Sequence, residues 1–159
     1  MPRAGQITYR EIAPDPRYHS QIVAKLINRT MLDGKKSVAQ TQIYQAFDLL
    51  ATTTKQEPME VFDLALKNII PQMEVRSRRV GGAAYQVPTP VRPHRASSLG
   101  IRWLVTEARK RPNKSFHSFA EKLAAEILDA TKGEGGAVAR KQTAHRQAEA
   151  NRAFAHFRW

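Results

Sequence analysis

Apolar residues recur at helical spacing along most of the chain, and this period predicts about six helices. Ile22, Val23, Leu26 and Ile27 share one face of the first helix, and the fifth has the clearest apolar stripe. The first predicted helix covers residues 19–32, and the second starts at an N-cap on Ser37 and ends near Thr52. The third covers residues 58–71, and the fourth runs from about Ser97 to 111. Ser115 caps the fifth, and the sixth covers residues 137–153.

The period changes between residues 73 and 91. Two extended runs flank Gly81-Gly82, a dipeptide typical of a two-residue hairpin turn. Pro88 and Pro90 cannot donate hydrogen bonds to a neighbouring strand, so the second strand must be an edge. An isolated two-stranded ribbon is only marginally stable in water, so we expect this hairpin to rest on another part of the molecule.

These elements predict one mainly α domain that spans residues 1–159, with about six helices and one protruding hairpin. Residues 1–18 carry three prolines and three arginines, a composition typical either of an extended basic arm or of a floppy terminus. Residues 137–159 are an alanine-rich helix and tail with few large apolar side chains. Such a helix packs weakly by itself, so we expect it to lie along the body or a partner.

The charge of the chain is large and uneven. Lys and Arg number 26 against 14 Asp and Glu, which gives a net charge of +12. Residues 72–114 hold ten basic and two acidic residues, and therefore most of the excess. This concentration favours a dedicated anion-binding face over a charge that only aids solubility. Nucleic acid is the first candidate partner and an anionic membrane surface the second.

Several kinds of chemistry have no matching residues in the sequence. There is no cysteine, and the five histidines form no close ligand pair, so we predict neither a metal site nor a cofactor. No side chain stands in a pattern typical of a nucleophile with its base, which argues against an enzyme and a small-molecule substrate. No apolar run reaches the roughly 18 residues that a membrane span needs, and the N-terminus lacks the apolar stretch of a secretory signal.

The main basic cluster lies on and after the hairpin: Arg76, Arg78, Arg79, Arg92 and Arg95. In a strand, Arg76 and Arg78 share one face and Arg79 points to the other. The planar guanidinium suits phosphate oxygens, and a thin ribbon with arginines on both faces could enter a groove of folded RNA. The alternative is that these charges only keep the strand edges from aggregating.

Basic residues form further clusters elsewhere. Arg109-Lys110-Arg111 and Lys114 form a second cluster at the C-terminus of a helix, where cations could simply complement the helix dipole. The remaining candidates are Lys35-Lys36 in a tight loop and, on the last helix, Arg140, Lys141, His145, Arg146 and Arg152. Tyr85 and Trp103 could stack on bases, although packing in the core suits Trp103 better.

The order of these features resembles the bacterial-type small-subunit ribosomal protein seven family along essentially the whole chain. The residues that carry the resemblance are Asp33-Gly34-Lys35-Lys36-Ser37, Ser77-Arg78-Arg79-Val80-Gly81-Gly82, Tyr85-Gln86-Val87-Pro88, Val91-Arg92-Pro93, Arg102-Trp103, Ala108-Arg109-Lys110-Arg111, His145-Arg146 and the stretch 148–156. The sequence departs from the family pattern at Ala4, Ala83-Ala84, Ala96 and Gln147, and each departure could remove one RNA contact.

The resemblance implies a structural constituent of the small ribosomal subunit that binds the 3′ major domain of 16S-type rRNA and nucleates assembly of the head. It also implies a place near the exit-site tRNA and the mRNA, and contacts with small-subunit protein eleven and other head proteins. The implied location is a ribosome of the cytoplasm, or the bacterial-type ribosome of an organelle. A regulatory RNA-binder or translational repressor on the same fold is the alternative function.

The candidate site residues fall into two sets. Those expected to bind rRNA are Arg3, Arg10, Lys35, Lys36, Arg76, Arg78, Arg79, Arg92, Arg95, Arg102, Arg109, Lys110, Arg111 and Lys114. Those expected near tRNA or mRNA are Gly81, Gly82, Tyr85, Lys141, His145, Arg146 and Arg152.

Overall fold

A computed structural model describes residues 11–158 of the chain and confirms a mainly α fold with one hairpin. Within these residues, six α-helices surround or flank the core, and a short 3₁₀ helix follows the last of them. In chain order the elements are α1 Gln21–Thr30, α2 Lys36–Thr54, α3 Pro58–Ile69, β1 Met73–Val80, β2 Ala83–Pro90, α4 Pro93–Lys110, α5 Phe119–Thr131, α6 Gly136–Ala150 and the 3₁₀ helix Arg152–Phe157.

The hydrophobic core lies among α1 to α5 and includes the start of α6, with α5 at its centre in contact with α2, α3 and α4. Phe47 and Phe62 pack with their rings 5.4 Å apart, and both are fully buried. Leu123 and Ile127 of α5 fill the space between the other helices. The predicted apolar stripes therefore meet in one core, which holds the helical body together through the burial of apolar surface.

Two predicted helix starts are wrong. Ser37 does not cap α2, because the helix already begins at Lys36 and its N-cap residue is Lys35. Ser115 does not cap α5, which begins only at Phe119. The actual cap is Ser118, whose Oγ accepts a hydrogen bond from the Glu121 backbone N–H at 3.2 Å.

A carboxylate completes this cap. Glu121 accepts a hydrogen bond from the His117 backbone N–H at 2.9 Å. Hydrogen bonds from His117 and Ser118 hold the pKa of Glu121 below its usual value. Ser118 and Glu121 have the serine-x-x-glutamate spacing of a capping box, and this spacing outcompetes the isolated serine at 115.

Three other helices have boundaries that differ from the prediction by a few residues. The helix α4 starts at Pro93 rather than near Ser97, because the fixed φ of proline suits the first helical position. The helix α1 is shorter at both ends than the predicted range 19–32. The helix α6 ends at Ala150 rather than near Ala153, and the chain tightens there into the 3₁₀ helix.

The hairpin has the predicted two-residue turn. Its strands pair antiparallel from Met73 opposite Pro90 to Val80 opposite Ala83. Gly81 and Gly82 adopt φ angles of 57° and 90°, in the region that favours glycine. The hairpin rests on α6 and on the 3₁₀ helix, as expected of a ribbon that is marginal by itself.

Candidate RNA-binding surface

The base of the hairpin is tied to α4 through one carboxylate. Glu74 accepts hydrogen bonds from Arg95 Nε at 2.8 Å and pairs with Arg76 Nη2 at 2.5 Å. Burial raises the pKa of Glu74, but the hydrogen bonds from Arg95 and Arg76 outweigh burial, and the net effect is a lowered pKa. Half of each arginine side chain stays exposed, so this cluster keeps a net positive charge on the surface.

The two faces of the hairpin have different surroundings. Tyr85 pairs with Arg78 across the strands, and its ring lies 5.3 Å from Phe154 and 5.1 Å from Phe157. The 3₁₀ helix therefore covers part of the face that carries Tyr85 and Arg78, and Arg78 is half-buried. Arg79 lies on the opposite face and is exposed, as are Gly81 and Gly82 at the tip.

Three arginines follow one another along the exposed side of α4. Arg95, Arg102 and Arg109 are seven residues apart, and two helical turns separate each from the next, so they share one face. The helical rise puts them about 10 Å apart along the axis. We call this set the arginine stripe, and all three members are exposed.

The start of α4 has the wrong charge for a helix N-terminus. Its first turn holds no acidic residue, and no side chain caps it. Instead Arg92, His94 and Arg95 gather at the positive end of the helix dipole, and all are exposed. Glu74 compensates part of this charge through Arg95, and an anion such as a phosphate would compensate the rest.

The basic cluster at the end of α4 does not act as one unit. Arg111 turns inward, where it pairs with Glu126 and Asp129 and lies 5.5 Å from the ring of Phe116. Only 17% of its side chain is exposed. Arg111 thus joins α4 to α5. Its contact with rRNA stays a prediction, and these ion pairs argue against it.

The other members of this cluster face outward. Lys110 Nζ lies 3.0 Å from a carboxylate oxygen of Glu107, and Arg109 Nη2 donates a hydrogen bond to the Thr30 carbonyl at 2.8 Å. Lys114 is exposed in the loop after α4. These side chains, like Lys35 and Lys36 at the start of α2, are accessible to a polyanion.

The residues predicted on the last helix have two different surroundings: some contact the body, and others are exposed. Lys141 Nζ donates to the Asn68 carbonyl at 2.9 Å, and His145 Nε2 accepts from the Gln72 backbone N–H at 3.1 Å. These two side chains therefore hold α6 against the body. Arg146 and Arg152 are exposed and can reach a partner.

Sequence reasoning missed a small cationic groove of about 280 Å³ between α1 and α4. Lys25, Arg29 and His94 line it together with Ser98. Lys25 and Arg29 are four residues apart, which places them one turn apart beside the apolar stripe of α1. This spacing is the only sign of the groove in the sequence. Trp103 packs against the core, which is the role that the sequence favoured over stacking on a base.

Two kinds of feature do not occur in the part of the chain that the structure describes. Within residues 11–158, no cluster of His, Asp or Glu side chains has the proximity to hold a metal ion. None of the helices there combines the length and apolar character that crossing a membrane requires. Arg3 and Arg10 lie outside the described residues.

Comparison with known proteins places the chain in a family. The family model for ribosomal protein S7p/S5e matches residues 2–152. The chain belongs to the ribosomal protein S7p/S5e family. Full-length relatives named small ribosomal subunit protein uS7 occur in Caldicellulosiruptor bescii at 58% identity, Carboxydothermus hydrogenoformans at 56% and Thermoanaerobacter pseudethanolicus at 57%. Each match covers all of both chains.

Membership of the S7p/S5e family confirms the resemblance that the sequence motifs indicated. It identifies a structural ribosomal protein of the small-subunit S7 family and not an enzyme. The exposed cations on α4 and the hairpin are therefore the surface on which an RNA-binding role of this chain would rest.

Proposed function

We propose that this chain is a structural component of the small ribosomal subunit that binds the 3′ major domain of its rRNA and nucleates assembly of the head. The observation that carries this proposal is the arginine stripe, which continues at the start of α4 into Arg92 and His94. A straight row of cations about 10 Å apart can follow a phosphate backbone, and the uncapped helix start adds a favourable anion site.

Contacts with the exit-site tRNA and the mRNA form a further part of the proposal. The exposed hairpin tip at Gly81-Gly82 can approach a backbone closely because it has no side chains. Arg146 and Arg152 add exposed cations on α6 and the 3₁₀ helix, on which the hairpin rests. This end of the molecule would also meet small-subunit protein eleven, and other head proteins would contact the rest of the body.

The proposal is tested by measuring affinity for a transcript of the 3′ major domain at fixed salt. The variant Arg92→Gln with Arg102→Gln removes two exposed charges whose side chains make no ion pair with other described residues. We expect the affinity to fall by about tenfold or more, since a desolvated contact between an arginine and a phosphate contributes ~1.5–3 kcal/mol. The salt dependence should also become shallower by roughly 0.9 per lost contact.

The matched control removes the same charge elsewhere. Lys55→Gln with Lys67→Gln alters two exposed lysines on the α2–α3 side of the body. This control should bind the transcript about as well as the unmodified protein. Equal losses in both double variants would mean that binding depends only on net charge, and the α4 surface would have no special role. Incorporation of the protein into salt-washed small subunits then separates a ribosomal component from a regulatory RNA-binder.

A further inference from the structure

A groove of about 460 Å³ opens where the end of α1, the start of α2, the end of α4 and the start of α5 meet. Leu32, Val38 and Phe119 supply its apolar lining, and Asp33, Lys35 and Arg109 its charged groups. We call it the α1–α2 groove. Its volume is in the range of small-ligand sites, and a nucleobase would fit it.

The apolar lining of the α1–α2 groove is unusually accessible. Leu32 is 60% exposed and Val38 57% exposed. These are the two most exposed of the four large hydrophobic side chains that stand out on the described surface, and they lie in the same groove. Two adjacent apolar side chains in water cost free energy that a flat apolar partner would recover.

The charged groups of the groove are arranged around this apolar surface. Lys35 and Arg109 provide cations, and Arg109 is oriented by its hydrogen bond to the Thr30 carbonyl at 2.8 Å. The side-chain hydroxyl of Thr30, which also lines the groove, is buried and has no hydrogen-bond partner among the described residues.

Asp33 is the one acidic side chain in the lining of the groove. It has a φ of 51°, and Gly34 follows with a φ of 74°, so the turn adopts left-handed backbone at both positions. The Lys35 backbone N–H closes this turn on the Leu32 carbonyl at 2.9 Å. The carboxylate of Asp33 accepts hydrogen bonds only, and it would therefore select a ligand edge that donates them.

We propose that the α1–α2 groove binds one unpaired nucleotide of the RNA, with an amino-bearing base against Leu32 and Val38 and its edge on Asp33. The adjacent phosphates then lie on Lys35 and Arg109. This inference rests on the rRNA-binding function proposed above. It follows from the coexistence of apolar contact, cations and a single carboxylate, which is how proteins read splayed-out bases in folded RNA.

Charge complementarity favours a nucleotide over a protein segment as the occupant. Lys35 and Arg109 line the groove against the single carboxylate of Asp33, so the charged side chains of its lining carry a net positive charge. Every nucleotide brings a phosphate to meet that charge, whereas a protein segment would need acidic residues placed beside its apolar side chain.

Asp33→Asn tests the proposal. The measurement is whether this substitution raises or lowers affinity for the 3′ major domain transcript. Asparagine tolerates left-handed backbone, so this substitution keeps the turn. It also makes the protein more positive, and a purely electrostatic surface would then bind RNA more tightly. If Asp33 reads a base edge, affinity falls on the order of tenfold in spite of the added charge.

Asp63→Asn is the matched control for charge, because it makes the same change on an exposed residue of α3. It should leave affinity unchanged or slightly increase it. An Asp33→Asn variant that binds as tightly as this control, or more tightly, would overturn the proposal.

The apolar contact is tested separately with Val38→Ser, and Leu64→Ser is the control. Leu64 is 50% exposed on α3, outside the groove, so both substitutions remove a similarly exposed apolar side chain. Val38→Ser should weaken binding severalfold without changing its salt dependence, since no phosphate contact is lost. Chemical probing of the transcript should show one base that the unmodified protein protects and that reacts when Val38→Ser or Asp33→Asn is bound.

The outcomes separate this inference from the proposed function. If the unmodified protein fails to bind the transcript, the proposed function fails. If it binds, but no base is protected and Val38→Ser behaves like Leu64→Ser, only the nucleotide site is overturned. A Val38→Ser variant with normal RNA affinity that joins small subunits poorly would identify a protein occupant, and would also overturn the nucleotide site.

Discussion

Arg111 and Glu126 form a largely buried ion pair between the end of α4 and the middle of α5. Arg111 Nε donates to Glu126 Oε2 at 2.8 Å, and the Glu126 side chain is only 2% exposed. The other oxygen of Glu126 accepts the Ala137 backbone N–H at 2.9 Å, near the start of α6. One carboxylate thus connects three helices, and its charge is compensated inside the protein.

We expect Arg111→Ala to destabilise the fold rather than to weaken RNA binding specifically. The substitution leaves a buried carboxylate without its cation, which typically costs about 3–5 kcal/mol. Adding Glu126→Gln should recover part of that loss, because the neutral amide oxygen can still accept the Ala137 N–H. Urea unfolding of the single and double variants measures both effects.

The neighbouring Lys110→Ala is the control for Arg111→Ala. Lys110 is 59% exposed and pairs with Glu107 only at the surface, so its loss should cost less than about 1 kcal/mol. If Arg111→Ala unfolds like the unmodified protein but loses RNA affinity, then Arg111 is a ligand for RNA and the structural reading is wrong.

The contribution of Glu74 to stability should depend on pH. Its pKa is lower in the folded protein than the usual 4.5, so the folded state favours the ionised carboxylate. The stabilisation is therefore fully present above about pH 4.5 and is lost as the pH falls through the lowered pKa. The difference in unfolding free energy between the unmodified protein and Glu74→Gln should shrink as urea titrations move from about pH 7 to about pH 3. A difference that stays constant over this range would show that Glu74 is not the titrating group.

The sequence predicts the elements of this fold better than it predicts the contacts of its charged side chains. Apolar periodicity and the Gly81-Gly82 turn are local signals, and both lead to the observed helices and hairpin. The direction of Arg111 depends on Glu126 and Asp129, which belong to another helix and meet it only after folding. Nothing within the cluster 109–114 distinguishes the arginine that turns inward from its exposed neighbours.

The same limit applies to α6. Lys141 and His145 share α6 with Arg146, and Arg152 begins the 3₁₀ helix that follows. By composition all four are equally plausible RNA ligands. The first two instead contact backbone groups near the end of α3 and before β1. Only the tertiary arrangement separates the side chains that anchor α6 from those that remain exposed.

Deletion of residues 74–90 should leave the helical body folded. No residue of the hairpin belongs to the core cluster, whose members lie on α1 to α6. The deletion does remove Val87, which is fully buried, and the ring contacts of Tyr85, so the 3₁₀ helix should loosen. Circular dichroism and thermal melting should change little, whereas the proposed contacts with exit-site tRNA should suffer.

A smaller change controls for that deletion. Replacing residues 79–84 by Asn-Gly removes the tip but keeps Tyr85 and Val87, and Asn-Gly supports a two-residue turn. This variant should retain the packing of the 3₁₀ helix. A collapse of the melting transition in the full deletion, but not in the shortened hairpin, would show that the base of the ribbon is essential to the body.

Affinity for the 3′ major domain should depend steeply on salt. If about 6–10 phosphates are neutralised, binding should weaken by roughly 10³–10⁵ between 50 and 200 mM salt, by analogy with duplex DNA. Filter binding at several salt concentrations gives the slope. An affinity that does not respond to salt would contradict an electrostatic role for the exposed cations.

Arg78 and Arg79 should differ in their importance, because they lie on opposite faces of one strand. Arg79 is exposed, whereas Arg78 is half-buried beside the face that Tyr85 and the 3₁₀ helix cover. Arg→Ala at either position should leave folding nearly unchanged. Loss of a desolvated phosphate contact should cost ~1.5–3 kcal/mol of RNA binding, and loss of a solvated one far less.

The measurement compares RNA affinity for Arg78→Ala, Arg79→Ala and the double variant at one salt concentration. We expect unequal single effects, because the two guanidinium groups cannot reach the same RNA surface from opposite faces of a thin ribbon. Additive losses in the double variant would indicate two independent contacts. If all three variants bind like the unmodified protein, the hairpin arginines serve only to keep the strand edges from aggregating, and their assignment to the RNA-binding surface is wrong.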